Sequence, residues 1–72
     1  MAAGDIPGLT DREEQIVKLI WRGLKNREIG NALKISVKTV EAHRANVMKK
    51  WRVSNTAQLL KMAITVRILK VA

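Results

Sequence analysis

The sequence predicts an all-α fold, a compact four-helix domain that contains a helix-turn-helix, with helices over approximately 10–22, 27–34, 37–52 and 56–69. Three observations carry this expectation. Apolar residues recur at helical spacing along most of the chain, and no segment reads as a strand. Thr10, Ser36 and Asn55 each stand just ahead of such a pattern, where a short polar side chain can cap the free N–H groups of a helix. Between Asn26 and Met48, two short helical patterns abut with only Lys34 and Ile35 between them, as in a helix-turn-helix. With 72 residues the chain makes one domain, and a domain of this size buries only about 60% of the surface that its unfolded chain exposes.

Residues 1–8 hold two glycines and the only proline, and read as a flexible lead-in or linker stump before a domain over 9–72. The first helix begins with Thr10 and Glu13, which fit a capping box: the threonine oxygen accepts from the Glu13 N–H while the glutamate reaches back. Asp11, Glu13 and Glu14 suit the positive end of its dipole. Its stripe is Ile16, Val17, Leu19, Ile20 and Trp21, and Gly23 supplies the stop. In the second helix Asn26 is the expected N-cap, with Ile29, Ala32 and Leu33 on one side. Gly30 should weaken it by up to about 1 kcal/mol relative to alanine. A turn that needs positive φ would strain Lys34.

Ser36 caps the third helix, which places Val40, Val47 and Trp51 on one side and Lys38, Glu41, Ala42, Ala45, Lys49 and Arg52 on another. Both tryptophans read as core. Asn55 with Gln58 starts the fourth helix. There Leu59, Ala63 and Val66 can face the core, while Leu60, Ile64, Ile68 and Val71 form a second apolar row. That row is either a partner surface or the edge of a broad core face.

Fourteen basic residues against six acidic ones give a net charge of +8, which favours a polyanionic partner, most often nucleic acid. All six acids lie at or before Glu41, and the basic residues from Arg44 onward meet none. A cationic helix face on a small scaffold suits a DNA major groove. Without phenylalanine or tyrosine the chain lacks stacking platforms for single strands, so duplex DNA is the better target. The absence of cysteine excludes disulfides and thiolate metal sites, and one histidine cannot complete a metal-ligand set. No cofactor, no metal and no enzymatic activity are expected. No signal peptide or run of about 18 apolar residues is present, so a soluble, cytoplasmic protein is expected.

Three pieces of sequence, Leu9-Thr10-Asp11-Arg12-Glu13-Glu14, Gly23-Leu24-Lys25-Asn26-Arg27-Glu28-Ile29 and the continuous run from Ile35 to Lys50, together resemble LuxR-type helix-turn-helix domains, in particular the output domains of NarL/FixJ-type response regulators. The resemblance covers Leu9 to Ala63. Gly30 stands where the family usually has alanine, and Lys34 where the turn often has glycine. The resemblance implies sequence-specific binding of double-stranded DNA in transcriptional regulation within a two-component system, with helix 37–52 in the major groove. It implies a homodimer on two half-sites through Leu60, Ile64 and Ile68, with RNA polymerase as a candidate further partner.

In the family, the positions of Glu41, Ala42 and Ala45 approach base edges. Glu41 can accept from a cytosine amino group, and the alanine methyls can touch a thymine methyl. A solvated Glu41 paired with Lys38 or Arg44 is the alternative. Ser36, Val37, Lys38 and Thr39 form a helix start suited to a phosphate. By resemblance Lys25, Arg27 and His43 join them as backbone contacts, with Arg44, Lys49 and Lys50 beyond; a purely structural core histidine at His43 and merely solubilising charges at Lys25 and Arg27 are the alternatives. Any direct reading of guanine would fall to Arg44 or Lys49. Lys50 has a second possible role, compensating the dipole at the helix end. The rival functions are a sigma-factor-like promoter-reading domain and a protein-interaction module working through the last helix. A membrane-surface peptide is disfavoured, since the basic residues do not oppose one continuous apolar face.

Overall fold

The computed structural model describes residues 8–69. Most of the expected lead-in and Val71 lie outside the described residues. Four helices follow in order: α1 (Asp11–Trp21), α2 (Asn26–Leu33), α3 (Val37–Trp51) and α4 (Thr56–Thr65). Among the described residues there is no strand.

Local hydrogen bonds explain most helix starts. At α1 the Glu13 N–H donates to Thr10 Oγ1 (3.1 Å) while the Thr10 N–H donates to Glu13 Oε1 (2.9 Å), completing the capping box. Ser36 accepts from the Thr39 N–H at 3.1 Å, and Asn55 accepts from the Gln58 N–H at 2.8 Å. The start of α2 differs from expectation. Its cap position is Lys25, whose backbone N–H donates to Glu28 Oε1 at 2.7 Å, and Asn26 is the first helical residue. The reason is tertiary: the Asn26 amide oxygen accepts from Arg44 on α3 instead of from its own backbone.

All four helices end in one way. Gly23, Lys34, Arg52 and Arg67 adopt positive φ (91°, 58°, 55° and 65°). The N–H of the next residue then bonds back to a carbonyl five residues earlier: Leu24 to Leu19 (3.2 Å), Ile35 to Gly30 (2.9 Å), Val53 to Met48 (3.0 Å) and Ile68 to Ala63 (3.0 Å). These are the six-to-one bonds of Schellman caps, which satisfy free carbonyls at the helix end. In each case the residue that follows the left-handed position is apolar and packs against the core. The strain expected at Lys34 is therefore real, and it recurs at Arg52 and Arg67. The Arg67 turn also ends α4 four residues earlier than predicted, and it returns Leu69 to the core, where it is buried.

The core has two parts that share α1 and α3. Ile16, Ile20, Ile29 and Val40 join α1, α2 and α3. Val17, Val47, Trp51, Leu59, Ala63 and Leu69 join α1, α3 and α4. Two expectations need correction. Trp21 is 42% exposed, because the last turn of α1 carries it past the edge of the stripe that buries Ile16, Val17 and Ile20. Gly30 is more than a weak helix residue: it is buried, and a Cβ there would stand 2.7 Å from the Ile35 carbonyl oxygen. The chain doubles back so tightly after α2 that its turn passes directly over Gly30.

Candidate nucleic-acid interface

The apolar row of α3 decides what the helix shows to solvent. Val40 and Val47 are fully buried, Trp51 nearly so, and the opposite side carries Lys38, Glu41, Ala42, Ala45 and Lys49, all exposed. Arg52, one residue past the helix, is exposed as well. Lys38 and Lys49 stand near the two ends of this face, with the small side chains of Ala42 and Ala45 between them. A strip of that shape lets another surface approach the helix backbone closely while charges flank it.

At the start of α3, Ser36, Val37, Lys38 and Thr39 are all exposed, and Ser36 Oγ lies 2.9 Å from Thr39 Oγ1. The cap consumes the Thr39 N–H. The free N–H groups ahead of it, with the Lys38 ammonium, offer donors to an anion. Lys25 and Arg27, at the start of α2, are exposed too. His43 is half-buried at the edge of the row.

The structure separates two residues from this group. Arg44 is half-buried, and its guanidinium donates to Asn26 Oδ1 (2.9 Å) and Thr56 Oγ1 (2.7 Å). Lys50 turns toward α1, where its ammonium lies 2.7 Å from Glu13 Oε1 and also donates to the Gly8 carbonyl. Glu13 is only 2% exposed. Burial pushes its carboxyl up, but hydrogen bonds from Lys50 and from Thr10, with the Lys50 charge, overrule burial and hold it below its ordinary value of 4.5. Periodicity could not find these partners. Glu13, Asn26 and Thr56 are far from Lys50 and Arg44 in sequence, and each carries a plausible local role of its own. Among the described residues no cluster of three or more His, Cys, Asp or Glu side chains can hold a metal ion.

A segment equivalent to residues 7–63 matches the family described as bacterial regulatory proteins, luxR family. The chain belongs to that family. It is 50% identical over 56 residues to the response regulatory protein YgeK of Escherichia coli, covering 78% of this chain and 38% of that one. It is 43% identical over 56 residues to the transcriptional regulatory protein FixJ of Rhizobium meliloti, covering 78% and 28%. The solved structure of the transcription factor GerE superposes with a TM-score of 0.82 at 35% identity, covering 86% of this chain and 92% of that one. The response regulator ChrA of a heme-sensing two-component system superposes equally well, at 29% identity and covering 90% and 32%. The chain thus corresponds to between 26% and 38% of the length of the first curated relatives. It is a LuxR-type helix-turn-helix domain of the kind carried by response regulators, a family of DNA-binding transcription regulators and not of enzymes. In this LuxR-type domain α2, the Lys34–Ile35 turn and α3 are the helix-turn-helix. Among the described residues no helix is long and apolar enough to cross a membrane.

Proposed function

We propose that this LuxR-type domain binds double-stranded DNA sequence-specifically in the control of transcription, in the cytoplasm, with α3 in the major groove and two copies on adjacent half-sites. The observation that carries this reading is the exposed strip of α3, two small alanines and one acceptor flanked by lysines, on a helix whose other side is locked in the core. In this reading Glu41, Ala42 and Ala45 meet base edges. Lys25, Arg27, Ser36, Val37, Lys38, Thr39, His43 and Lys49 meet the sugar-phosphate backbone. Phosphate contacts set register, and base contacts set preference. Arg44 and Lys50 serve the fold through the bonds described above, so their basicity is not offered to DNA in the same way.

Support for pairing comes from α4. The expected row is not continuous, because α4 ends at Thr65 and Ile68 lies past the left-handed Arg67 turn. Leu60 and Ile64 on the helix and Ile68 beyond it pack against the core yet are only half-buried, so an apolar edge remains there. A two-fold contact through that edge would bring each residue against its own copy or a near neighbour, and would set half-sites about one helical turn, roughly 10 base pairs, apart.

Selection of bound sequences from random duplexes tests the reading. A preferred site should emerge, Glu41→Ala should change it, and Lys38→Ala should weaken all sequences alike. An unchanged site in Glu41→Ala would remove that residue from base reading. Ile64→Glu should leave the helix content intact and abolish cooperative occupancy of two half-sites. A mutant that unfolds instead would assign Ile64 to the core.

A further inference from the structure

Arg44 occupies a junction that none of the proposed DNA contacts requires. Its two Nη atoms reach Asn26 and Thr56, which are the first residues of α2 and α4. One side chain near the middle of α3 therefore ties that helix to the starts of both its neighbours. Attraction between opposite charges does not hold it there. Among the described residues the ion pairs are Lys18–Glu14 and Lys50–Glu13, and the guanidinium stands where two helix dipoles present their positive ends. What holds it is the fork geometry, two directed hydrogen bonds to neutral oxygens. An ammonium, a single nitrogen on a flexible stem, does not reproduce that two-nitrogen fork.

The remaining contacts of α3 are mostly apolar. Val40 packs toward α1 and α2, and Val47 and Trp51 toward α1 and α4. Apolar packing fixes how far apart helices lie better than how they slide or roll, because it is non-directional. We propose that Arg44 is a positioning residue for DNA recognition: it sets the pose of α3 against the starts of α2 and α4, and so places Glu41, Ala42 and Ala45 at a common depth. The inference rests on the reading of α3 as the helix that enters the duplex. It replaces direct phosphate contact as the principal role of Arg44.

The experiment compares the wild-type domain with Arg44→Met, Arg44→Lys, Thr56→Val, Thr56→Ser and the double variant Arg44→Met/Thr56→Val. Fluorescence anisotropy follows binding to the selected site and to a mixed-sequence duplex over a range of salt, and circular dichroism follows folding. Arg44→Met, Arg44→Lys and Thr56→Val should each weaken binding to the selected site by about ten- to a hundredfold, the range that corresponds to the loss of one hydrogen bond from a charged donor. Thr56→Ser keeps the acceptor and should bind as the wild type does. The double variant should be no weaker than Arg44→Met, because both changes break one junction. On the mixed-sequence duplex the dependence of log K on log salt should stay the same in every variant.

A fall in that slope of about 0.9 in Arg44→Met, restored by Arg44→Lys, would establish a phosphate contact and overturn the proposal. Wild-type affinity in Thr56→Val, or additive losses in the double variant, would overturn it too. If Arg44→Met fails to fold, the Thr56→Val and Thr56→Ser pair decides alone, since a methyl-for-hydroxyl exchange at the first residue of α4 leaves the helix otherwise unchanged. A wild-type domain that binds neither duplex would sink the placement of α3 and this inference together, a result no variant could imitate.

Discussion

Exchanging either of two adjacent lysines for methionine should have opposite consequences. Lys49 is exposed on the outer strip of α3, whereas Lys50 is folded back onto Glu13. Six cationic side chains lie where the family resemblance puts backbone contacts: Lys25, Arg27, Lys38, Arg44, Lys49 and Lys50. If the four whose side chains have no partner among the described residues each neutralise one phosphate, log K against log salt has a slope of about −3.6 per domain; if all six did, it would be about −5.4. Between 50 and 200 mM salt those slopes correspond to losses of about 150-fold and about 1,800-fold in affinity, well separated in an anisotropy titration on mixed-sequence duplex. Lys49→Met should lower the slope by about 0.9 and, as a surface change, leave stability within about 0.5 kcal/mol. Lys50→Met should keep the slope and lower the melting temperature, because it leaves the Glu13 carboxylate buried without its cation. That loss is about 1–3 kcal/mol, below the value for a fully buried pair because the Lys50 side chain is about a third exposed. A slope near −5.4, or one that drops in Lys50→Met while the melting point holds, would refute the division of α3 into outward and inward cations.

Three further changes probe the scaffold. The Glu13 carboxyl is held below 4.5 in the folded protein, so its contribution to stability is present above that value and is lost as pH falls through the lower folded value; the melting-point gap between wild type and Glu13→Gln should be constant near neutrality and should close in acid, and a gap that widens in acid would contradict the assigned partners. Gly30→Ala recovers up to about 1 kcal/mol of helix propensity but sets a Cβ 2.7 Å from the Ile35 carbonyl, so no net stabilisation is expected; a rise of 4–8 °C, the equivalent of about 1 kcal/mol in a domain this small, would show that the turn yields freely. Lys34→Gly relieves a left-handed residue at the end of α2 and should raise the melting temperature by up to about that amount, even after loss of a cation from the helix end; denaturation that shows a decrease would mean the lysine side chain holds the turn.

Much of this arrangement is legible in the sequence because it is local. Thr10 with Glu13, Ser36 with Thr39, and Asn55 with Gln58 are each three residues apart, and three of the four helix starts follow from them. The face of α3 that stays exposed follows from the position of Val40, Val47 and Trp51 at helical period. What was not legible depends on distant partners or on backbone turns that charged residues make. Asn26 is a good cap by type, but Arg44 claims its side chain from the next helix. Arg52 and Arg67 adopt the conformation that glycine usually marks with no glycine to announce it, whereas Gly23 marks its own helix end and the turn at Lys34 follows from the family resemblance. The early end of α4 and the burial of Leu69 both descend from Arg67. Trp21 misled for a different reason: a stripe read from spacing has no sharp edge, and a large side chain at the last turn can fall on either side of it.

In the proposed reading, net charge overstates what the domain offers to DNA, and the cause is its size. A helix that reads base edges must hold its pose to within about half an ångström. In a large protein a wide core can do that by packing alone. Here the buried apolar side chains against α3 lie in two small groups, one toward each end, and directional bonds supply the rest: the Ser36 cap at the start, Arg44 in the middle and Lys50 in the last turn. Two of those three anchors are cations, so they add to the charge count while their donors are engaged within the protein. The same side chains would look like phosphate contacts in any alignment of basic residues along a helix. Their partners tell them apart: a lysine or arginine with open solvent around its head is free to follow a phosphate, and one already bonded to Glu13, or to Asn26 and Thr56, would have to break the scaffold to do so.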